Sequence, residues 1–167
     1  MDHHIEDTIA KFYPKQVLIS PLSDPSVNWA YDPKYEKLKA LLTELREMDS
    51  TAHPGTRPNF DISEEVVLLD NIHIYLSYLG PFAAINYGDD LELDESQQEA
   101  VRAVERLLAR HKVTLLDDGE LDESVAWITA GTTGRHARVW DCLFVNETGD
   151  AIPAAAETAP KSVIQWR

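Results

Sequence analysis

The stretch Glu65–Tyr87, EVVLLDNIHIYLSYLGPFAAINY, decides how the rest of the chain is read. It opens on a β-branched and leucine run, Glu65 to Leu69, and Asp70-Asn71 supplies a tight turn. Ile72, Ile74, Leu76 and Tyr78 then alternate with His73, Tyr75 and Ser77. A period of two puts the first set on a core face and the second on the opposite face of a strand. Gly80-Pro81 turns the chain again and Phe82 to Tyr87 returns as a further strand. Short strands joined by turn-sized gaps pair antiparallel. The 18 residues from Asn71 to Gly88 carry no Asp, Glu, Lys or Arg, which is long enough to touch the threshold for a membrane span. Asn71, His73, Asn86 and the central Gly-Pro break favour two paired strands over a helix in lipid, and no membrane partner is expected.

Helices flank this meander. Asp32-Pro33 offers an N-cap acid followed by proline at the first helical position. Tyr35, Leu38, Leu41, Leu42, Leu45 and Met48 recur at three- and four-residue spacing, predicting a helix from about Pro33 to Met48. The second helix is signalled by Ser96 and Glu99 at capping-box spacing, ahead of the stripe Ala100, Val101, Val104, Leu107 and Leu108. Ile5, Ile9 and Phe12 allow a short helical turn in an otherwise aperiodic start.

Weaker elements complete the reading. Gln16–Ser20 and Val113–Leu116 read as short strands, the prolines between Ser20 and Pro33 as a loop, and Leu121–Ile128 as an ambiguous strand. Ala137–Val145 reads as an inner strand, with Trp140, Cys142 and Phe144 on one face and Val139, Leu143 and Val145 on the other. Residues 150–160 read as an Ala/Pro-rich connector to an expected docked C-terminal segment containing Ile164 and Trp166. Helices and strands do not alternate regularly. The expected architecture is therefore α+β: one domain over residues 1–167, its antiparallel or mixed sheet of about six or seven strands packed by two main helices.

With 167 residues, 44% of them hydrophobic and 26% charged, the chain has the usage of a globular domain. Its one cysteine, Cys142, permits no internal disulfide, and acids stand at the N-terminus where a secretory signal carries bases. A cytoplasmic setting is expected. The net charge of −14 disfavours direct contact with nucleic acid, since phosphate neutralisation needs Lys and Arg.

No motif names a reaction. Gly131-Thr132-Thr133-Gly134-Arg135 lacks the spacing of a phosphate-binding loop and reads as a hairpin loop. Asp90, Glu92 and Asp94 have the start of an EF-hand spacing, but Glu95 and Val101 occupy the glycine and bidentate-acid positions. Asp118, Glu120 and Asp122 fail likewise, with Glu123 and Thr129 there. The histidines (His3, His4, His53, His73, His111, His136) form no zinc pattern, and Cys142 in a two-faced apolar run is expected to be an inert buried thiol. No catalytic residue, metal or cofactor is assigned.

What stands out is where the acids fall. Pro58 to Val101 holds ten acids and no Lys or Arg, and Asp117, Asp118, Glu120, Asp122 and Glu123 form a second knot. Solubility does not require such segregation. It produces a steering field for a positively charged partner. The expectation is a binding protein for a basic protein, a toxin or nuclease for instance, most concretely an inhibitor of immunity or antitoxin type. Asp89, Asp90, Glu92, Asp117, Asp118, Glu120 and Asp122 would speed encounter, with Tyr75, Tyr87 and Trp127 as aromatic anchors. Two alternatives stay open: an enzyme or small-molecule binder with a pocket lined by His73 and Tyr75, and a structural or assembly subunit.

Overall fold

The meander is present, and its turn lies one residue earlier than expected. In the computed structural model, which describes residues 1–13, 33–55, 63–87, 92–129 and 136–145, Asn71 N–H bonds back to the Leu68 carbonyl at 3.2 Å. Leu69 and Asp70 are the central residues, with φ of 49° and 64°. Left-handed φ at both positions is the mark of a primed hairpin turn, whose twist matches that of the strands it joins.

The element order is α1 (His3–Phe12), α2 (Pro33–Met48), β1 (His53–Pro54), β2 (Ser63–Leu68), β3 (Ile72–Ser77), β4 (Phe82–Asn86) and α3 (Glu95–Arg110), followed by β5 (Thr114–Leu115), α4 (Asp118–Asp122), β6 (Ser124–Thr129), β7 (His136–Arg138) and a π-helical turn at Asp141–Val145. Strands β1 to β5 form one sheet in sequence order. All its pairs are antiparallel except β4–β5, which is parallel. Strands β6 and β7 form a separate antiparallel ribbon. The chain is thus a mixed α+β fold, and its described strands divide five and two rather than lying in one sheet. The expected strand at 16–20, the loop at 131–135, the connector at 150–160, the tail at 162–167 and the acids Asp89 and Asp90 lie outside the described residues.

Helix α2 buries Leu38, Leu41, Leu42 and Leu45, while Met48 is exposed. Helix α3 buries Val104, Leu107 and Leu108, but its capping box uses Asp94 and Gln97 instead of Ser96 and Glu99. The helix begins two residues earlier than expected because Asp94 already satisfies the Gln97 N–H, leaving Ser96 inside the first turn. At the N-terminus, Asp2 caps a ten-residue helix that buries Ile5, Ile9 and Phe12. All these side chains join the sheet residues in one continuous buried cluster.

The expected inner strand at Ala137–Val145 is overturned. Only His136–Arg138 is extended, and the chain then coils into the π-helical turn. Asp141 decides this locally: its carboxylate reaches back to accept the Arg138 N–H at 2.8 Å, the acid half of a capping box. Trp140 and Phe144 consequently stack at 5.2 Å, as residues four apart on a helical surface do.

That turn closes the second face of the sheet. Three hydroxyls, from β2, β3 and the residue after α1, each donate to one of its consecutive carbonyls: Tyr13 to Cys142 at 3.1 Å, Ser77 to Leu143 at 2.9 Å, and Ser63 to Phe144 at 2.7 Å. Ser63, Tyr75 and Ser77, on the face opposite Ile72, Ile74 and Leu76, are therefore buried as well.

Candidate functional site

Most of the described acids have local structural work. In the knot after β5, Asp117 caps α4 by accepting from the Glu120 N–H at 2.8 Å, and Glu120 reciprocates on the Asp117 N–H at 3.0 Å. Asp122 pairs with Arg138 at 3.0 Å, and Glu123 takes the N-terminal ammonium. The expected strand at Leu121–Ile128 is accordingly shortened to Ser124–Thr129, its head replaced by α4. Asp118 is exposed and has no hydrogen-bond or ion-pair partner among the described residues. Elsewhere, Glu99 bridges Arg102 and Arg106, whose guanidinium hydrogen bonds hold its carboxyl below the usual range. Glu44 joins α2 to Arg110 and His111 at the end of α3.

Two of the three aromatic anchors are committed inward. Tyr75 is 5% exposed and meets Trp140 edge-on at 5.0 Å, so it is corrected from surface anchor to core residue. Trp127 is half-buried and donates its indole N–H to the Tyr13 carbonyl at 2.9 Å. Tyr87 is 40% exposed.

Tyr87 leaves β4 at a particular end of the sheet. Its neighbour Asn86 pairs with His73, which follows the Leu69–Asp70 turn closely. The start of α3 reaches the same end, where Gln97 donates to the Asn71 side chain at 3.1 Å. Asp70, Glu92 and Glu95, all exposed and without described partners, belong to these segments. The contacts that anchor α4 go instead to the N-terminus and β7. The two acidic runs are thus tied to different parts of the fold.

A second constellation lies on the β2–β3 hairpin, where the sequence reading named His73 but not its partner Glu65. Glu65 Oε1 lies 2.8 Å from His73 Nδ1, with the Glu65 side chain 9% exposed and that of His73 39% exposed. The signal was available in the register. Val67 opposes His73 and Glu65 opposes Tyr75, so Glu65 and His73 are diagonal neighbours on one face. Gly55 makes room for this carboxylate: a Cβ there would collide with the end of the Glu65 side chain.

Among the described residues the Cys142 thiol is quenched by its surroundings. Burial pushes the Cys142 thiol far above its ordinary range, and the neighbouring Asp141 charge adds to that. Asp141 is itself 0% exposed, and its hydrogen bonding to the Arg138 guanidinium raises the pKa of that arginine further. Among the described residues no group of three or more His, Cys, Asp or Glu side chains is placed to hold a metal ion. Nor is any described helix long and apolar enough to cross a membrane. Compared with known proteins, the chain matches no family model, no curated protein and no solved structure.

Proposed function

We propose that this chain is a binding protein for a basic protein partner, most concretely a stoichiometric inhibitor of immunity or antitoxin type. The docking surface is the end of the sheet formed by the β2–β3 turn, the exit from β4 and the start of α3. One observation carries the reading: Tyr87 stands exposed between segments whose acids, Asp70, Glu92 and Glu95, have no described internal counter-charge. An exposed aromatic beside uncompensated charge has the make-up of an anchor with a steering rim. Asp89 and Asp90 stand in the same connection in sequence and belong to the proposal. Asp117, Glu120 and Asp122 contribute field only, because their carboxylates are held by the backbone and by Arg138. A single cysteine in the chain fits a cytoplasmic setting, where thiols stay reduced.

Capture from a lysate of the source cell tests this, comparing the full chain with a variant carrying Asp70→Lys, Glu92→Lys and Tyr87→Ala. The full chain should retain a basic protein at low salt and release it as salt rises, while the variant retains none. Truncating Tyr87 alone should weaken the purified complex by about 2 kcal/mol. If the captured protein is not basic, or binds the triple variant equally well, the reading is wrong.

A further inference from the structure

We propose that Glu65 and His73 form a general-base site on the β2–β3 hairpin, open at His73 Nε2 to a small molecule that presents a hydroxyl, or to water. An ionised carboxylate only accepts hydrogen bonds, so the 2.8 Å contact puts the imidazole proton on Nδ1. The other ring nitrogen is then left with its lone pair. Among the described residues nothing bonds to Nε2, and the ring is 39% exposed while the carboxylate behind it is 9% exposed. This is the division of labour of a carboxylate–histidine pair: a shielded acid fixes tautomer and ring orientation, and the outward nitrogen takes a proton.

The arrangement is built rather than incidental to a mobile surface. Glu65 and His73 project from adjacent paired strands, which fixes their spacing. Gly55, whose N–H bonds to the Glu65 carbonyl at 2.9 Å, leaves the space that the carboxylate occupies. The Tyr75 ring lies nearly parallel to the imidazole at 6.5 Å, on the same face. His111 offers a contrast within the same chain. It too contacts a carboxylate, that of Glu44, but its side chain is only 15% exposed. In a reaction, Nε2 takes the hydroxyl proton, the freed oxygen attacks an electrophilic carbon, and the proton passes to the leaving group or to solvent. Glu65 is the positioning residue, and His73 the group that touches the reactant. This site does not depend on the docking reading, since its ligand is small and its test uses the protein alone.

Hydrolysis of p-nitrophenyl acetate by the full chain is a suitable probe. His73 Nε2 accepts a proton from water, the water oxygen bonds to the acetyl carbon, and p-nitrophenolate leaves with acetate as the other product. His73→Gln should remove most of the protein-dependent rate, and His53→Gln should leave it intact. Glu65→Gln should lower the rate about tenfold, since an amide can donate to Nδ1 and no longer fixes the tautomer. Nitrogen-15 spectra of the unmodified chain give a readout that needs no variant: His73 should appear as the Nδ1–H tautomer, and Glu65→Gln should mix the tautomers. An Nε2–H tautomer in the unmodified chain, or a rate indifferent to His73→Gln in a variant that melts normally, overturns the proposal.

Discussion

Ser77 Oγ donates to the Leu143 carbonyl at 2.9 Å while accepting the Leu79 N–H at 3.1 Å, joining the end of β3 to the π-helical turn across 66 positions of sequence. Both groups are buried, so neither has water to fall back on. Ser77→Ala would leave the Leu143 carbonyl and the Leu79 N–H without that partner. The expected loss is about 1–3 kcal/mol of stability, the cost of stranding a buried polar group. Urea unfolding with an unchanged m-value would verify it. Ser77→Thr should cost less, since it keeps the hydroxyl.

Asp117 and Asp118 are adjacent, acidic and exposed, yet they should behave differently. Asp117 caps α4 and Asp118 has no described partner. Asp117→Ala is expected to lower stability by about 1 kcal/mol, as for other N-cap losses. Asp118→Ala should leave the melting temperature unchanged. Equal effects in parallel thermal melts would mean that the cap has been misread.

Asp49 ties the end of α2 to the β2–β3 turn. Burial alone would raise its pKa, but the Leu69 N–H at 2.8 Å, together with the Thr51 N–H and hydroxyl, outweighs this and holds the carboxyl below its usual value. A carboxyl depressed on folding contributes stability above its unfolded pKa and loses it as pH falls through the folded value. The gap in stability between the parent chain and Asp49→Ala should therefore be constant above about pH 5 and shrink below about pH 4. Denaturant titrations at several pH values measure that gap directly.

Lys112 terminates α3 in a conformation that suits glycine. Its φ is 57°, with Lys112 N–H on the Ala109 carbonyl at 3.0 Å and Val113 N–H on the Leu108 carbonyl at 2.9 Å. These two bonds define a Schellman motif with lysine at the left-handed position. Lys112→Gly should stabilise the chain by about 0.5–1 kcal/mol through relief of that strain, net of glycine's greater freedom when unfolded. A fall in melting temperature would contradict it.

Much of the scaffold was legible because its signals are local. The spacing of Leu38, Leu41, Leu42 and Leu45 allows one helical face, and the alternation after Ile72 allows one strand register. The candidate sites were less legible. Counting acids gave Glu92 the same weight as Asp117, Glu120 and Asp122, which cap a helix or pair with Arg138. Sequence proximity reports charge density and carries no information about which charge is already matched. The pairing of Glu65 with His73 escaped notice because it depends on the hairpin register, eight residues apart.

The sequence by itself determined the helical stripes and the pairing of the strands on either side of the β2–β3 turn, since each follows from side-chain period over a few residues. Only the tertiary structure decided the form of Val139–Val145. An apolar run with no polar face has no period to choose between strand and helix, and the choice came from Asp141 capping Arg138 and from three distant hydroxyls, on Tyr13, Ser63 and Ser77, that satisfy the turn's carbonyls. A backbone buried on all sides takes the shape in which its polar groups find partners, and those partners come from elsewhere in the chain.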